Sequence, residues 1–331
     1  RAALAAGRLG GREAVPNILD LLNGGRRPIT RMYAAQALGM LKDPRAIEPL
    51  MQVLGDADAG VRLAVVDALC AYQQSELLIG FSLAMRDSDP LLRTHGAIAL
   101  GVCKNDKAVP LLTKALRDEQ GAVRAAAADA LGAYGETGLD GVMPLLADPA
   151  PDVRAAAARA LGAIGLPVSA GTLAKLLTDG SRPVRSAAAL ALAQLQPAPI
   201  TAVVPYLKYD SAETRARAVE ALGRMKENTA SLLVTALTDR SADVRRWAIW
   251  ALGEQQNPLA DTVLSSGLND PDYTVRCEAA RLAGKTKAAG ATARLAEMAR
   301  QGVPEERIAA YTALLAITGR NLGINPREWP L

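Results

Sequence analysis

Arginine and aspartate recur together along this chain. Arginine stands at Arg31, Arg62, Arg93, Arg124, Arg154, Arg185, Arg215, Arg245, Arg276 and Arg307, in steps of 30 or 31 residues. An aspartate precedes it by six residues at Asp56, Asp87, Asp118, Asp148, Asp179, Asp239 and Asp270, and by five at Asp210. A carboxylate and a guanidinium at fixed spacing can hold a reacting group or form a charge-assisted hydrogen bond that holds structure. A catalytic pair occurs once, whereas this pair occurs in almost every unit, so the structural role is expected. Little other chemistry is available. His95 is the single histidine, and Gly96 follows it. Cys70, Cys103 and Cys277 form no CxxC or Cys/His cluster, so no metal and no cofactor is expected. No Ser-His-Asp or Cys-His set assembles around His95, no GxxxxGK[ST] phosphate loop is present, and catalytic residues are assigned to none.

A period of 30–31 residues is the mark of a solenoid, in which each repeat stacks on the last. With the arginine as position zero, positions three, four, six and seven are apolar and mostly small. They are Ala127, Ala128, Ala130 and Leu131 after Arg124, and Ala218, Val219, Ala221 and Leu222 after Arg215. That spacing predicts a helix with one buried stripe. Glycine at position eight (Gly39, Gly101, Gly132, Gly162, Gly223, Gly253, Gly284) is expected to end the helix in a left-handed cap. A second apolar segment, such as 109–116 or 229–237, precedes each arginine helix and reads as the first helix of a pair. Pro16, Pro49, Pro110, Pro144 and Pro205 fall early in these segments, where proline costs little or introduces a bend. The aspartate then lies in the turn between the two helices. Its carboxylate is placed to accept N–H groups at the start of the second helix and to face the arginine of its own or a neighbouring repeat. The fold class is all-α, an α-α superhelix of about ten two-helix repeats.

Composition agrees. Half the residues are hydrophobic but only 3% are aromatic, with a single Phe, so alanine and leucine build the core and a large apolar ligand cavity is not expected. The net charge of +4 is explained by structural arginines, and a nucleic-acid partner is disfavoured. Three cysteines argue against a disulfide framework, although Cys70 and Cys103 lie one repeat apart and a bond between them is conceivable. No apolar run is long enough for a transmembrane segment. The chain opens at Arg1 without Met, which reads as a fragment or processed form, so a signal peptide or lipid anchor could have preceded it.

Segments 148–162 (Asp-Pro-Ala-Pro-Asp-Val-Arg-Ala-Ala-Ala-Ala-Arg-Ala-Leu-Gly) and 239–253 (Asp-Arg-Ser-Ala-Asp-Val-Arg-Arg-Trp-Ala-Ile-Trp-Ala-Leu-Gly) resemble HEAT repeats. More narrowly, they resemble the short bacterial kind also found in phycobilin lyase subunits. The resemblance covers about residues 1–317 and implies a superhelix whose concave wall is lined by second helices. It implies a non-enzymatic scaffold or adaptor binding a protein partner there. The alternatives it brings are a bilin lyase-like or chaperone-like protein and a nucleic-acid-binding array. The iron-dependent hydroxylases built on such repeats need several His-Glu pairs, which a single histidine excludes. Residues 1–10 resemble another second helix, with Leu9-Gly10 aligned on Leu38-Gly39. Residues 318–331 read as a C-terminal capping tail in which Trp329 folds back over the end of the core, the alternative being a docking peptide. Gly25 and Gln301 replace the aspartate in the units at Arg31 and Arg307.

If second helices line the wall, positions one, two and five face outward. These are bland in the middle repeats (Ala125, Ala126 and Asp129; Ala155, Ala156 and Arg159) and change toward the C-terminus. Arg217, Trp247 and Glu278 occupy position two, Glu220, Trp250 and Arg281 position five, and Arg246 position one. Exposed Trp and Arg together are enriched in binding hot spots, so this ridge is the candidate partner-binding surface, the alternative being that Arg and Trp stack on one another with no partner present. Tyr33, Gln36, Asp67 and His95 hold equivalent places near the other end and form a lesser candidate.

Overall fold

Alanine and leucine are both strong helix formers, and the arginine units fold accordingly. The computed structural model describes residues 2–74, 77–255 and 260–319, the side chains of 260–262 excepted, and among these residues no strand occurs. The chain falls into two compact units, Arg1–Ser169 and Ala170–Leu331. The first holds α1 (Ala2–Leu9), α2 (Val15–Gly24), α3 (Pro28–Leu41), α4 (Ile47–Gln52), α5 (Ala59–Cys70), α6 (Leu78–Ala84), α7 (Pro90–Cys103), α8 (Val109–Ala115), α9 (Gly121–Gly132), α10 (Leu139–Val142) and α11 (Pro151–Ile164). The second holds α12 (Ala170–Lys175), α13 (Arg182–Gln194), α14 (Ile200–Val203), α15 (Ala212–Arg224), α16 (Ala230–Ala236), α17 (Ala242–Glu254), α18 (Ala260–Leu268), α19 (Tyr273–Thr286), α20 (Thr292–Gln301) and α21 (Pro304–Thr318).

From α3 on, the odd helices carry the arginines. Within each unit every odd helix packs on the next odd one, and every even helix packs on the odd helix that follows it. The result is the expected all-α solenoid of helix pairs. Positions three, four and seven are fully buried in the units at Arg124 and Arg215, and position six is nearly so. The even helices are short. In several of them the last turn tightens to a 3-10 helix, and Pro144 and Pro205 sit in the first turn of two such segments.

The arginine pairs with the acid of the following repeat. Nε and one Nη of Arg31, Arg62, Arg93, Arg124, Arg215 and Arg245 donate to both oxygens of Asp56, Asp87, Asp118, Asp148, Asp239 and Asp270 at 2.6–3.0 Å. The remaining Nη turns back to the carbonyl six residues before it, at 2.7–2.9 Å in the same six arginines. Each guanidinium thus ties its own interhelical turn to the next one. The carboxylate caps its own turn rather than the second helix, accepting the N–H two residues on, as in Asp89 N to Asp87 at 2.9 Å. The helix cap proper is that later residue, for example Asp58, Asp89 or Ser211. Where the spacing slips, the acid changes. Arg185 pairs with Glu213 at 2.5 Å, not with Asp210, and Arg276 takes Glu306 at 2.5 Å, since the Gln301 position offers no carboxylate.

The position-eight glycines form no left-handed cap, although Gly132 is the last residue of α9. Gly39, Gly101, Gly223 and Gly284 lie inside α3, α7, α15 and α19, and their φ values are not left-handed. They allow close approach instead. A Cβ on Gly39 would lie 2.7 Å from Ala68 Cα, and one on Gly284 would lie 3.0 Å from Ala313 Cα. Glycine at position eight and alanine at position six of the next repeat therefore set the spacing of neighbouring second helices. The left-handed residue comes at position eleven, in Lys42, Gln73, Lys104, Gly165 and Lys287. At the first helix it is Gly7, not Gly10, that meets Ala37, so the alignment of Gly10 on Gly39 shifts by three residues.

A further set of inter-repeat bonds uses position ten. Tyr72 donates to the Leu38 carbonyl at 3.2 Å, Tyr134 donates to that of Leu100, and Gln255 donates to that of Leu222 at 3.1 Å. Burial pushes the Tyr72 hydroxyl up to about 12. Cys70, Cys103 and Cys277 are free thiols.

Two expectations follow. Gly39→Ala should destabilise the fold by about 1–3 kcal/mol in chemical denaturation. The usual effect of alanine in an unhindered helix is a gain of about 1 kcal/mol, so a gain would refute the close-approach role. The second concerns acid. The bonded arginine holds Asp56, Asp87, Asp118 and Asp148 below the ordinary carboxylate range, and it does the same to Glu213 and Glu306. A carboxyl that is low in the fold and ordinary in the unfolded chain adds stability above its unfolded value near 4. That stability is lost as pH falls through the folded value. The melting temperature should hold between about pH 8 and 5 and fall steadily below about pH 4. A flat profile down to about pH 2 would remove the ladder from the stability of the fold.

Candidate functional site

All seven residues of the expected ridge lie in the second unit, on α15, α17 and α19. The structure joins Arg217, Glu220, Arg246, Trp247 and Trp250 in one cluster, while Glu278 and Arg281 pair with each other on α19, and not all of the seven face outward. Trp247 and Trp250 project from α17 and lean toward α15, and their rings meet edge to face with centroids 5.2 Å apart. Long side chains on a helix tilt away from their own Cα toward the preceding turn, so the two rings cover polar groups that would otherwise be solvated. Arg217 and Glu220 of α15 and Glu278 of α19 are buried, contrary to the outward placement expected from position. Trp247, Trp250 and Arg246 are half-buried, and Arg281 is exposed.

The buried charges are paired. Arg217 donates to one oxygen of Glu220, while Arg224 donates to the other from Nε at 3.3 Å and from an Nη at 3.2 Å. Arg217 and Arg246 lie over the Trp247 ring at 5.2 and 5.8 Å from its centroid, and Arg224 lies over Trp250 at 4.9 Å. Arg217 Nε is buried without an acceptor, so this charge depends on Glu220 and on the Trp247 π-face. Arg246 also reaches Asp243 at 3.2 Å. On α19, Glu278 is covered by Arg281, which donates to it.

The ridge is longer than positions one, two and five. Position nine, one turn beyond five, contributes Arg224, Glu254 and Lys285, and Lys285 donates to Glu254 at 2.8 Å between α17 and α19. The signal for these residues was the same helical period, carried one turn past position five and so one residue past the glycine.

The lesser candidate, in the first unit, also forms a contact. His95 Nδ1 lies 2.6 Å from Asp67 Oδ1, between α7 and α5. Tyr33 and Gln36 stand half-buried on α3. Beyond these, Arg159 donates to Asp129 at 2.6 and 3.1 Å. Position two is buried in several repeats, as at Ala64, Ala156 and Ala187, because it turns into the contact between successive second helices. Among the described residues no group of three or more His, Cys, Asp or Glu side chains could hold a metal ion, and no helix is long and apolar enough to cross a membrane. Trp329 and the rest of the expected tail beyond Gly319 lie outside the described residues.

A family model described as HEAT repeats matches residues 1–70, 81–147, 139–208, 171–239, 200–269 and 230–316. A HEAT repeat-containing taxis protein of Halobacterium salinarum is 30% identical over 150 residues, covering 39% of this chain and 37% of that protein. Among solved structures, yeast importin-β (Kap95p) superposes with a TM-score of 0.70 at 14% identity, over 92% of this chain and 50% of that one. The complex of CpcE and CpcF of phycocyanin lyase from Nostoc sp. PCC7120 gives a TM-score of 0.41 at 22% identity, over 72% of this chain and 94% of that chain. This chain thus spans half or less of the taxis protein and of importin-β. At these identities the structural likenesses show fold alone.

Because the two rings cover a buried ion pair, Glu220→Ala should cost more than the loss of either ring. It leaves Arg217 buried and uncompensated and should destabilise by about 2–4 kcal/mol. Trp247→Ala should cost about 1–3 kcal/mol from the lost ring pair and cation–π contacts. Urea titrations of the two variants check the order, and a Glu220→Ala protein as stable as wild type would remove the ion pair from the argument.

Proposed function

The chain belongs to the HEAT-repeat family, and from that premise we propose that it is a non-enzymatic scaffold that binds a protein partner on the second-helix face of α15, α17 and α19. One observation carries the reading. This face holds two of the chain's three tryptophans in a fixed arrangement, with Arg217, Arg224 and Arg246 stacked on them. Rigid aromatic and arginine groups lose little freedom on association, which is why they dominate binding energy where they occur. Both rings are half-buried, so part of each stays open to solvent.

The contacts are set by ridge position. Arg246, Trp247 and Trp250 offer the central half-buried patch, Arg281 offers an exposed guanidinium at one edge, and Glu220 and Glu278 hold the arginines in place from below. Arg217 takes no part in direct contact and serves as the floor of the Trp247 ring. The many acids interleaved with the arginines favour a protein surface over the continuous phosphate charge of a nucleic acid. The scaffold reading is also supported by the pairing of the recurrent arginine and acid side chains with one another, which leaves them no task in chemistry.

Affinity capture from lysate of the source organism tests this, with wild type beside Trp247→Ala/Trp250→Ala and Arg246→Glu, each shown to be folded by circular dichroism. A protein held by wild type and lost from both variants is expected. Equal capture by all three would place binding on another surface, and recovery of nucleic acid or a coloured tetrapyrrole alone would replace the scaffold reading.

A further inference from the structure

Beyond the tryptophans the same face opens into a groove of about 540 Å³ between α19 and α21. Cys277, Gly284 and Ala313 form its floor, and Ile308, Ala309 and Ala316 form the α21 wall. Ile308 is 69% exposed and extends the apolar wall to the groove mouth. Arg281, Lys285, Glu305 and Thr312 stand at the rim. A volume of this size takes a few apolar side chains of one segment rather than a folded surface.

Charge on this face is distributed unevenly between depth and surface. The Arg281 side chain is 71% exposed, and the Glu278 that neutralises it is 10% exposed. Arg224 and Glu220 repeat the arrangement at 39% and 4%. In both pairs the cation meets solvent while its counter-charge is covered. Arg281 engages Glu278 through a single Nη and keeps further N–H donors at the groove mouth. A partner at the groove therefore meets the Arg281 guanidinium on the α19 side of an apolar slot, with Glu305 on the α21 side. Asp243 and Glu254 break the positive surface at intervals, which a peptide can avoid by spacing its carboxylates and an unbroken phosphate chain cannot.

We propose that the α19–α21 groove is the anchor pocket for an acidic segment of the protein partner, an apolar side chain entering between Cys277 and Ala316 while a carboxylate meets Arg281. This rests on the scaffold reading and names the chemistry of its partner. An apolar anchor flanked by acids supplies both burial and a charge-assisted bond, whereas acid alone would gain only the second.

The probe is a fluorescein-labelled helical peptide of about 18 residues, with leucine along one face and glutamate elsewhere, read by anisotropy against the whole chain. Binding at least about tenfold tighter than that of the lysine-for-glutamate peptide is expected, with a similar loss when the leucines become alanine. Ala316→Trp, which fills the groove from an exposed position, should weaken binding by at least about fivefold, and Arg281→Gln by a comparable factor. Arg281→Gln keeps a donor for Glu278, and melting curves of both variants separate lost binding from lost folding. Equal affinity for the lysine peptide, binding unaffected by Ala316→Trp, or no binding of the glutamate peptide would each overturn the proposal. Tighter binding of a single-stranded oligonucleotide would do the same. The two readings fail separately. Tryptophan-dependent capture with no peptide binding sinks only the groove, and groove-dependent peptide binding with tryptophan-independent capture sinks only the tryptophan patch.

Discussion

One guanidinium per repeat holds the solenoid together. Two of its nitrogens grip the carboxylate of the next interhelical turn, and a third returns to its own turn. The bond couples neighbours rather than completing a single repeat, and stability in such arrays resides largely in those nearest-neighbour terms. A bidentate arginine–carboxylate bond also fixes orientation, because the planar fork accepts one approach. Arg185 and Arg276 show the strength of the requirement. Where the expected aspartate is out of register or missing, a glutamate from the start of the next second helix takes its place.

Packing around this ladder depends on small side chains. Glycine at position eight faces alanine at position six of the following repeat, and the backbones come nearly as close as atoms allow. At the far end of the second helix, Tyr72, Tyr134 and Gln255 reach back to the carbonyl at position seven of the preceding repeat. Each second helix is thus fixed at its first turn by arginine, in the middle by glycine and alanine, and in some repeats at its last turn by a hydroxyl or amide. A frame so determined leaves positions five and nine free to vary, and Glu220, Trp250 and Arg281 at five and Arg224, Glu254 and Lys285 at nine occur there, with Arg246 and Trp247 at one and two beside them.

The candidate site illustrates how a polar surface becomes rigid. Two tryptophans placed on α17 bury Glu220 and Arg217 of α15, and the buried acid in turn orients Arg224 across the second ring. A buried charge pair contributes little net stability. What it contributes here is fixed geometry, with each arginine held by a carboxylate on one side and an aromatic face on the other.

The sequence by itself determined the period, the two-helix unit, the buried stripe and the pairing of arginine with acid, because side-chain periodicity and charge recur ten times and are properties of the chain. It also placed Trp247, Trp250, Arg246 and Arg281 on one ridge, since helical spacing suffices for that. It misread the position-eight glycines as helix ends, because a glycine required for close approach and one required for a left-handed cap look alike until the neighbouring helix is present. That error cut the ridge short and hid Arg224, Glu254 and Lys285 at position nine. Only the tertiary structure decided that the arginine serves the next repeat, as it does at Arg31, Arg62, Arg93, Arg124, Arg185, Arg215, Arg245 and Arg276, that Arg217, Glu220 and Glu278 are covered, and that a groove opens beside Ile308. All three depend on how far one helix leans over another, a distance set by packing between repeats that no single repeat encodes.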